Sequence, residues 1–547
     1  MKRLILGLLA LFSAGTGALQ ASAADMPRLI EKDGRHALLV DGAPYLILGI
    51  QANNSSNYPA ALSKVWQMAH DMHANTVLIP VAWEQVEPRE GQFDFSYLDT
   101  LIAEARKQDL RLVLVWFGSW KNHSPNYAPE WVKLDNKRFP RAVDAAGRTL
   151  NSLSPVHPAS MAADLKAFVA MMTYLKRIDP QRMVIMVQAE NEAGLVGADR
   201  DYSPKAEALF QAQVPEALAR GLGKGRGTWK DLFGDAAGET FQAWHVARYI
   251  EAIASAGRAA YDLPVYVNCW LRDAFGPEPA GRYPSGGPTD NMLDLYKIAA
   301  PSIEFAGPDY YQGTYDKFMR VIEQYGRPDN ALFIPEIGRQ PNYARYFFPA
   351  LGKQAIGFSP FGLDYSKYKG AFEGAVATES LLTPESLSLF SRNYKLFAPL
   401  SRVWAKISFE KPVWGVAEPE DKHEQHLALG PRWRATVSYG RAEYGDAPPK
   451  GNPEPSGGLV IAQLAADEYL VTGYDTRIDF LPASDPKAQP YDPARKGYYY
   501  ARVEEGHFDA SGNWIMERVW NGDQTDWGLN FKSGQQVLRV KLANPAI

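Results

Sequence analysis

The chain has 547 residues, 46% of them hydrophobic and 22% charged, a balance that excludes a disordered or membrane-embedded protein and exceeds one ordinary domain. Its formal net charge of -4 gives no basic field for a nucleic-acid backbone, and no Lys/Arg-rich run is interleaved with aromatics. A single cysteine, Cys269, excludes an internal disulfide, and no Cys/His cluster has zinc spacing, so neither staples nor a structural metal are expected.

At the start of the chain Lys2 and Arg3 precede an apolar run over residues 4–12 and the small residues Ala21-Ser22-Ala23. That order predicts a secretory signal peptide over residues 1–24 and a periplasmic or secreted protein. The run is too short to span a bilayer, and no cysteine near the cut accepts a lipid, so no membrane insertion is expected after cleavage.

Eight short apolar runs follow, at residues 45–51, 76–82, 111–117, 183–188, 264–270, 304–310, 332–336 and 355–360. Most are followed by a segment of helical period, as in Leu98, Leu101, Ile102 and Ala105, or Leu165, Phe168, Val169, Met172 and Leu175. Eight such units predict an α/β protein built on a (β/α)8 TIM barrel, assigned to residues 25–400. Residues 193–262 are too long for one helix, and an excursion leaving the catalytic face is expected to wall the cleft. Beyond about residue 413 short β-type runs are split by Pro/Gly-rich turns, which predicts a C-terminal all-β sandwich over residues 401–547 with a structural role.

The fourth run leads into Gln188-Ala189-Glu190-Asn191-Glu192, and the seventh ends in Ile334-Pro335-Glu336. Each places an acid at the carboxyl end of a barrel strand, where barrel active sites are built. A pair of acids there suits a glycosidic bond, whose cleavage needs one carboxyl to protonate the leaving oxygen and another to face the anomeric carbon. Glu190, one residue before Asn191, is read as part of a salt bridge within the barrel.

With the stretch Asn75 to Phe95 (NTVLIPVAWEQVEPREGQFDF), the segment from Leu48 to Asn54, and the Glu-Asn-Glu and Pro-Glu motifs, the region from Gly34 to Asp364 resembles glycoside hydrolase family 35 of clan A, the β-galactosidases. Within that family it looks like the bacterial subgroup with a β-rich domain after the barrel, some of which act on galactose side chains of xyloglucan. The resemblance implies a retaining exo-β-galactosidase with Glu192 as general acid/base and Glu336 as nucleophile, needing neither metal nor cofactor. It also implies that Asn191 binds the sugar 2-hydroxyl and that Tyr310 or Tyr311 donates to Glu336. Family 35 enzymes usually carry Ala-Glu-Trp after the third strand, its acid binding galactose hydroxyls, whereas Gly118-Ser119-Trp120-Lys121-Asn122 lacks that acid. Family 42-type β-galactosidase, β-glucosidase, endo-glycanase and a non-catalytic carbohydrate-binding barrel stand as alternatives.

Further substrate contacts are expected from Trp83 after the second strand, Trp120 and Asn122 after the third, and Asn268 and Trp270 at the end of the fifth. The tryptophans offer rings to a pyranose face or pack in the core; sequence does not separate the two uses. Cys269 is read as a small buried apolar residue, and His123 and His157 as surface or capping groups.

Overall fold

The structure is a computed structural model that describes residues 25–276, 278–365, 382–440, 450–490, 492, 494, 497–532 and 534–544. The expected signal peptide, residues 1–24, lies outside the described residues. Eight parallel strands close into a barrel in chain order: Ile47–Gln51, Thr76–Ala82, Arg111–Lys121, Val184–Asn191, Val265–Trp270, Ala306–Tyr310, Phe333–Ile337 and Gly357–Pro360. They are buried on both faces, which is why they read as unbroken apolar runs and not as alternating ones.

Each strand is followed by at least one helix, and helices cover the outside of the ring. The helix Tyr315–Tyr325 shows how the sequence dictates this: Tyr315, Phe318, Val321, Ile322 and Tyr325 fall on one stripe and are buried. The helix Ser96–Gln108 stops where Asp109 turns left-handed, with φ of 54°.

Inside the ring the two ends differ. Toward the strands' amino ends Leu78, Val113, Val115, Met186, Tyr266 and Phe333 form an apolar plug. A three-stranded sheet, Arg28–Lys32, Arg35–Val40 and Ala43–Tyr45, adds Leu38 and Val40 to that plug and closes the bottom. Toward the carboxyl ends the inward positions turn polar: Gln51, Gln188, Asn268, Asp309 and Glu336 are all buried. The fold therefore leaves one chemically active end, at the top.

Residues 193–262 carry three short helices, Pro204–Phe210, Glu216–Gly221 and Trp229–Phe233, before the outer helix Ala237–Ala260. In its first stretch Leu195 pairs its backbone with Ser285. Asp201 braces the hairpin Arg141–Val143/Thr149–Leu153, accepting from the Val143 amide and the Ser154 hydroxyl. These bonds tie the insertion to the hairpin and to the segment at Ser285, while its long helix Ala237–Ala260 packs on the helix Pro158–Ile178.

The C-terminal part is all β: a six-stranded sheet and a four-stranded sheet share a core containing Trp433, Val437, Ile461, Val471, Phe480 and Leu538. The other face of the larger sheet belongs to the barrel's core, with Val413, Val460, Ala462 and Leu470 clustered with Phe347, Phe348 and Phe397. Gly352, at the end of the helix Phe347–Gly352, meets Gly415 of the strand Val413–Ala417 backbone to backbone, leaving no room for a Cβ on either. Buried Arg345 reaches across to Glu420 at 2.5 Å. Among the described residues no helix is long and apolar enough to cross a membrane.

Candidate active site

The fourth strand runs to Asn191, and the chain then leaves the barrel with Glu192 in the left-handed region at φ of 48°, after Glu190 at 63°. Such backbone is uncommon outside glycine and concentrates where a side chain must be aimed. Asn268, from the fifth strand, anchors the bend by accepting the Glu192 amide at 2.8 Å. Glu336 comes from the seventh strand, in register with Asp309 on the sixth.

These placements bring three carboxyls together. One oxygen each of Glu192, Asp309 and Glu336 lies within 4.8 Å of the other two, and all three residues are buried. Among the described residues this is the one group of three potential metal ligands so closely set. Glu336 receives a hydrogen bond on each oxygen, from the Gln51 amide at 2.8 Å and the Tyr311 hydroxyl at 2.9 Å. The Asn191 amide is satisfied with its nitrogen toward Glu336 Oε1, 3.3 Å away, and its oxygen toward Lys121 Nζ, 3.2 Å away. Burial first, then the negative Glu336, push the Glu192 carboxyl up to about 7, against the opposing charge of Lys121.

Of the two tyrosines considered as donors, Tyr311 makes the bond, its ring standing 46% exposed at the mouth of the site. Tyr310 does not. By strand alternation it faces the outer helices, where its hydroxyl donates to the Thr314 carbonyl and its ring packs on Phe318 and Tyr346.

Trp83 and Trp120 are also corrected. Trp83 is fully buried, bonded to Glu87 and set edge-on to Trp131; Trp120 is 1% exposed, bonded to Ser152 and set edge-on to Tyr249. Neither has a ring face to offer a sugar. Trp270 is partly exposed at the end of the fifth strand, and Asn122 accepts from Lys121 beside Asn191.

Among the described residues Glu190 has no salt-bridge partner. Its carboxyl lies beside that of Asp164, from the helix Pro158–Ile178; burial pushes both upward, and the charge of Asp164 adds to the rise of Glu190. Asp164 accepts from the Trp116 indole and the Ser119 amide, each at 2.9 Å, and Glu190 from the Trp120 amide at 2.7 Å. This pair holds the irregular end of the third strand, whose register shifts between Trp116 and Lys121, and so sets where Lys121 points.

Sequence reasoning missed Gln51, Asp309 and the placement of Lys121. Gln51 closes the first strand and Asp309 stands one residue before Tyr310. Both were legible as inward, polar, strand-end positions; Asp309 lies in no motif, and the segment Leu48 to Asn54 that holds Gln51 does not single it out.

The sequence profile of glycoside hydrolase family 42, described as beta-galactosidase, matches residues 57–254, and that of a domain of unknown function (DUF5597) matches residues 390–532. No curated protein matches the chain. Similar solved structures include the β-galactosidase of the psychrophilic Marinomonas ef1, with 14% identity, a TM-score of 0.48 and coverage of 66% of this chain and 62% of that one. The cold-adapted β-galactosidase of Rahnella sp. R3 has 13% identity, a TM-score of 0.46 and coverage of 67% and 61%. An exo-β-1,4-mannosidase of Opitutaceae bacterium strain TAV5 has 14% identity, a TM-score of 0.44 and coverage of 69% and 63%. The matched part of the chain thus spans less than two thirds of the length of each of these proteins. The profile match overturns the family 35 resemblance, in keeping with the acid missing after the third strand. Residues 57–254 of the barrel are thus similar to family 42 of the glycoside hydrolases, and not to family 35.

Proposed function

We propose that this protein is a retaining, exo-acting β-galactosidase that removes terminal β-galactosyl groups from oligosaccharides or polysaccharide side chains outside the cytoplasm. The reading is supported above all by the closeness of the Glu192 and Glu336 carboxyls, within 4.8 Å at their nearest described oxygens. Retention requires the two groups to be about 5 to 5.5 Å apart, whereas inversion needs room for a water between them. Glu336 attacks the anomeric carbon as Glu192 passes its proton to the departing glycosidic oxygen, leaving a glycosyl ester on Glu336. Glu192 then takes a proton from water, whose oxygen attacks the same carbon and frees Glu336.

The environments divide the labour. The Gln51 and Tyr311 donors hold the two oxygens of Glu336, while burial favours the neutral form of Glu192. The buried Asn191 amide, between Lys121 and Glu336, is suited to the sugar 2-hydroxyl, a contact that strengthens in the transition state. Galactose is supported by the description of the matching family, and export by the basic and apolar start of the chain.

A panel of aryl β-glycosides on wild type, Glu192→Gln and Glu336→Gln tests the reading. Wild type is expected to prefer β-galactosides, Glu336→Gln to lose covalent labelling by a fluorinated glycoside, and Glu192→Gln to retain turnover only with very good leaving groups. Turnover of β-glucosides alone would refute the galactosidase and leave the mechanism standing. No turnover across the panel would remove the hydrolase itself.

A further inference from the structure

Two catalytic roles leave the third carboxyl of the cluster unexplained. Asp309 is 3% exposed; its Oδ2 accepts from the Asn268 amide at 2.7 Å, and its Oδ1 has no donor of its own. What Asp309 does have is the carboxyl of Glu192 close by, one oxygen of each lying within 4.8 Å of the other. The same Asn268 side chain holds both acids, accepting from the Glu192 amide and donating to Asp309. Two buried carboxyls set this close repel when both are charged and attract when one keeps its proton and donates it to the other.

The charged groups around Asp309 are Glu192, Glu336 and Lys121; Tyr311, Tyr266, Tyr325 and Cys269 complete its titratable surroundings as neutral groups. One ammonium therefore faces three carboxyls. It balances Glu336 alone, so the buried site is neutral only when Glu192 and Asp309 both carry protons. Burial first, then Glu336 and Glu192, push Asp309 well above the ordinary aspartate range.

We propose that Asp309 is a positioning residue that stays protonated through the catalytic cycle and donates its hydroxyl hydrogen to the carboxyl of Glu192. The proposal rests on the assignment of Glu192 as acid/base. When Glu192 hands its proton to the leaving oxygen, the carboxylate left behind accepts the bond from Asp309, which makes Glu192 a stronger acid than Glu336 alone would allow. The proton of Asp309 does not leave. When Glu192 regains a proton from water the bond persists, and no further reactant is consumed.

The test compares Asp309→Asn and Asp309→Ala with wild type across pH, on aryl galactosides of good and poor leaving group. An amide keeps the donor and adds no charge, so Asp309→Asn is expected to leave the basic limb within about half a pH unit, with a rate loss of about tenfold or less. Asp309→Ala removes the donor; its basic limb is expected to move upward, and its loss to reach ~100-fold on poor leaving groups and far less on good ones. A basic limb that falls by about one unit or more in Asp309→Asn would show Asp309 to be charged, and equal losses on both substrates in Asp309→Ala would show a merely structural role; either overturns the proposal. Should the variants turn over too slowly to assay, labelling aspartate carboxyls with 13C reads the proton apart from turnover: a carboxylic-acid infrared band at pH 8 that is present in wild type and missing from Asp309→Asn is expected, the difference setting aside other buried aspartates such as Asp164. The absence of that difference rejects the proposal. That band depends on no activity, whereas failure of the leaving-group test in Glu192→Gln would strike the acid/base assignment itself.

Discussion

Glu192 and Glu336 are the same side chain in opposite surroundings, one short of donors and one supplied on both oxygens. Burial and the charge of Glu336 raise Glu192 to about 7, so it stays protonated below that pH. The basic limb of kcat/KM is expected near pH 7, read from a pH profile of wild type. The same shift acts on stability. A carboxyl whose folded value lies above its ordinary 4.5 takes up a proton on folding between those two pH values, so its contribution to stability declines as pH rises through the window. Glu192→Gln removes that penalty and is expected to melt a few degrees above wild type at pH 8, with the gap closing near pH 4, by thermal denaturation. The donors on Glu336 act on rate: Tyr311→Phe and Gln51→Ala are each expected to lower kcat by about 10- to 100-fold, with smaller changes in KM, in steady-state assays.

At the scale of elements, the third strand shows most clearly what the sequence exposed and what it hid. The apolar run 111–117 predicts the strand, but the strand continues to Lys121 because Asp164 and Glu190 capture the amides of Ser119 and Trp120. Those acids are 45 and 70 residues away in the chain, so no local pattern reports them. The barrel was legible because eight doubly buried strands leave eight apolar runs, and Glu192 and Glu336 because they sit in motifs at strand ends. Tyr310 and Tyr311 could not be separated until the strand's inward face was known. Trp83 and Trp120 were misjudged because lying near the catalytic end says nothing of whether a ring face is open. Gly118 lies at the centre of the buried pair: a Cβ there would come within 2.7 Å of both Asp164 Oδ1 and Glu190 Oε1. Gly118→Ala is expected to destabilise the protein by about 1 to 3 kcal/mol in denaturant titrations and to impair turnover, since Lys121 follows the same segment.

Over the whole molecule, barrel and sandwich share one apolar cluster, and the tie between Arg345 and Glu420 crosses the seam. Calorimetry is expected to show a single unfolding transition, and a chain ending at residue 400 to aggregate, since Val413, Val460, Ala462 and Leu470 would no longer cover Phe347, Phe348 and Phe397. Two separate transitions would mean that the seam is weaker than its packing. The touching backbones of Gly352 and Gly415 carry one more consequence. With no side chain between them to act as a bearing, the two parts have no hinge there, so the sandwich cannot swing like a tethered grapple.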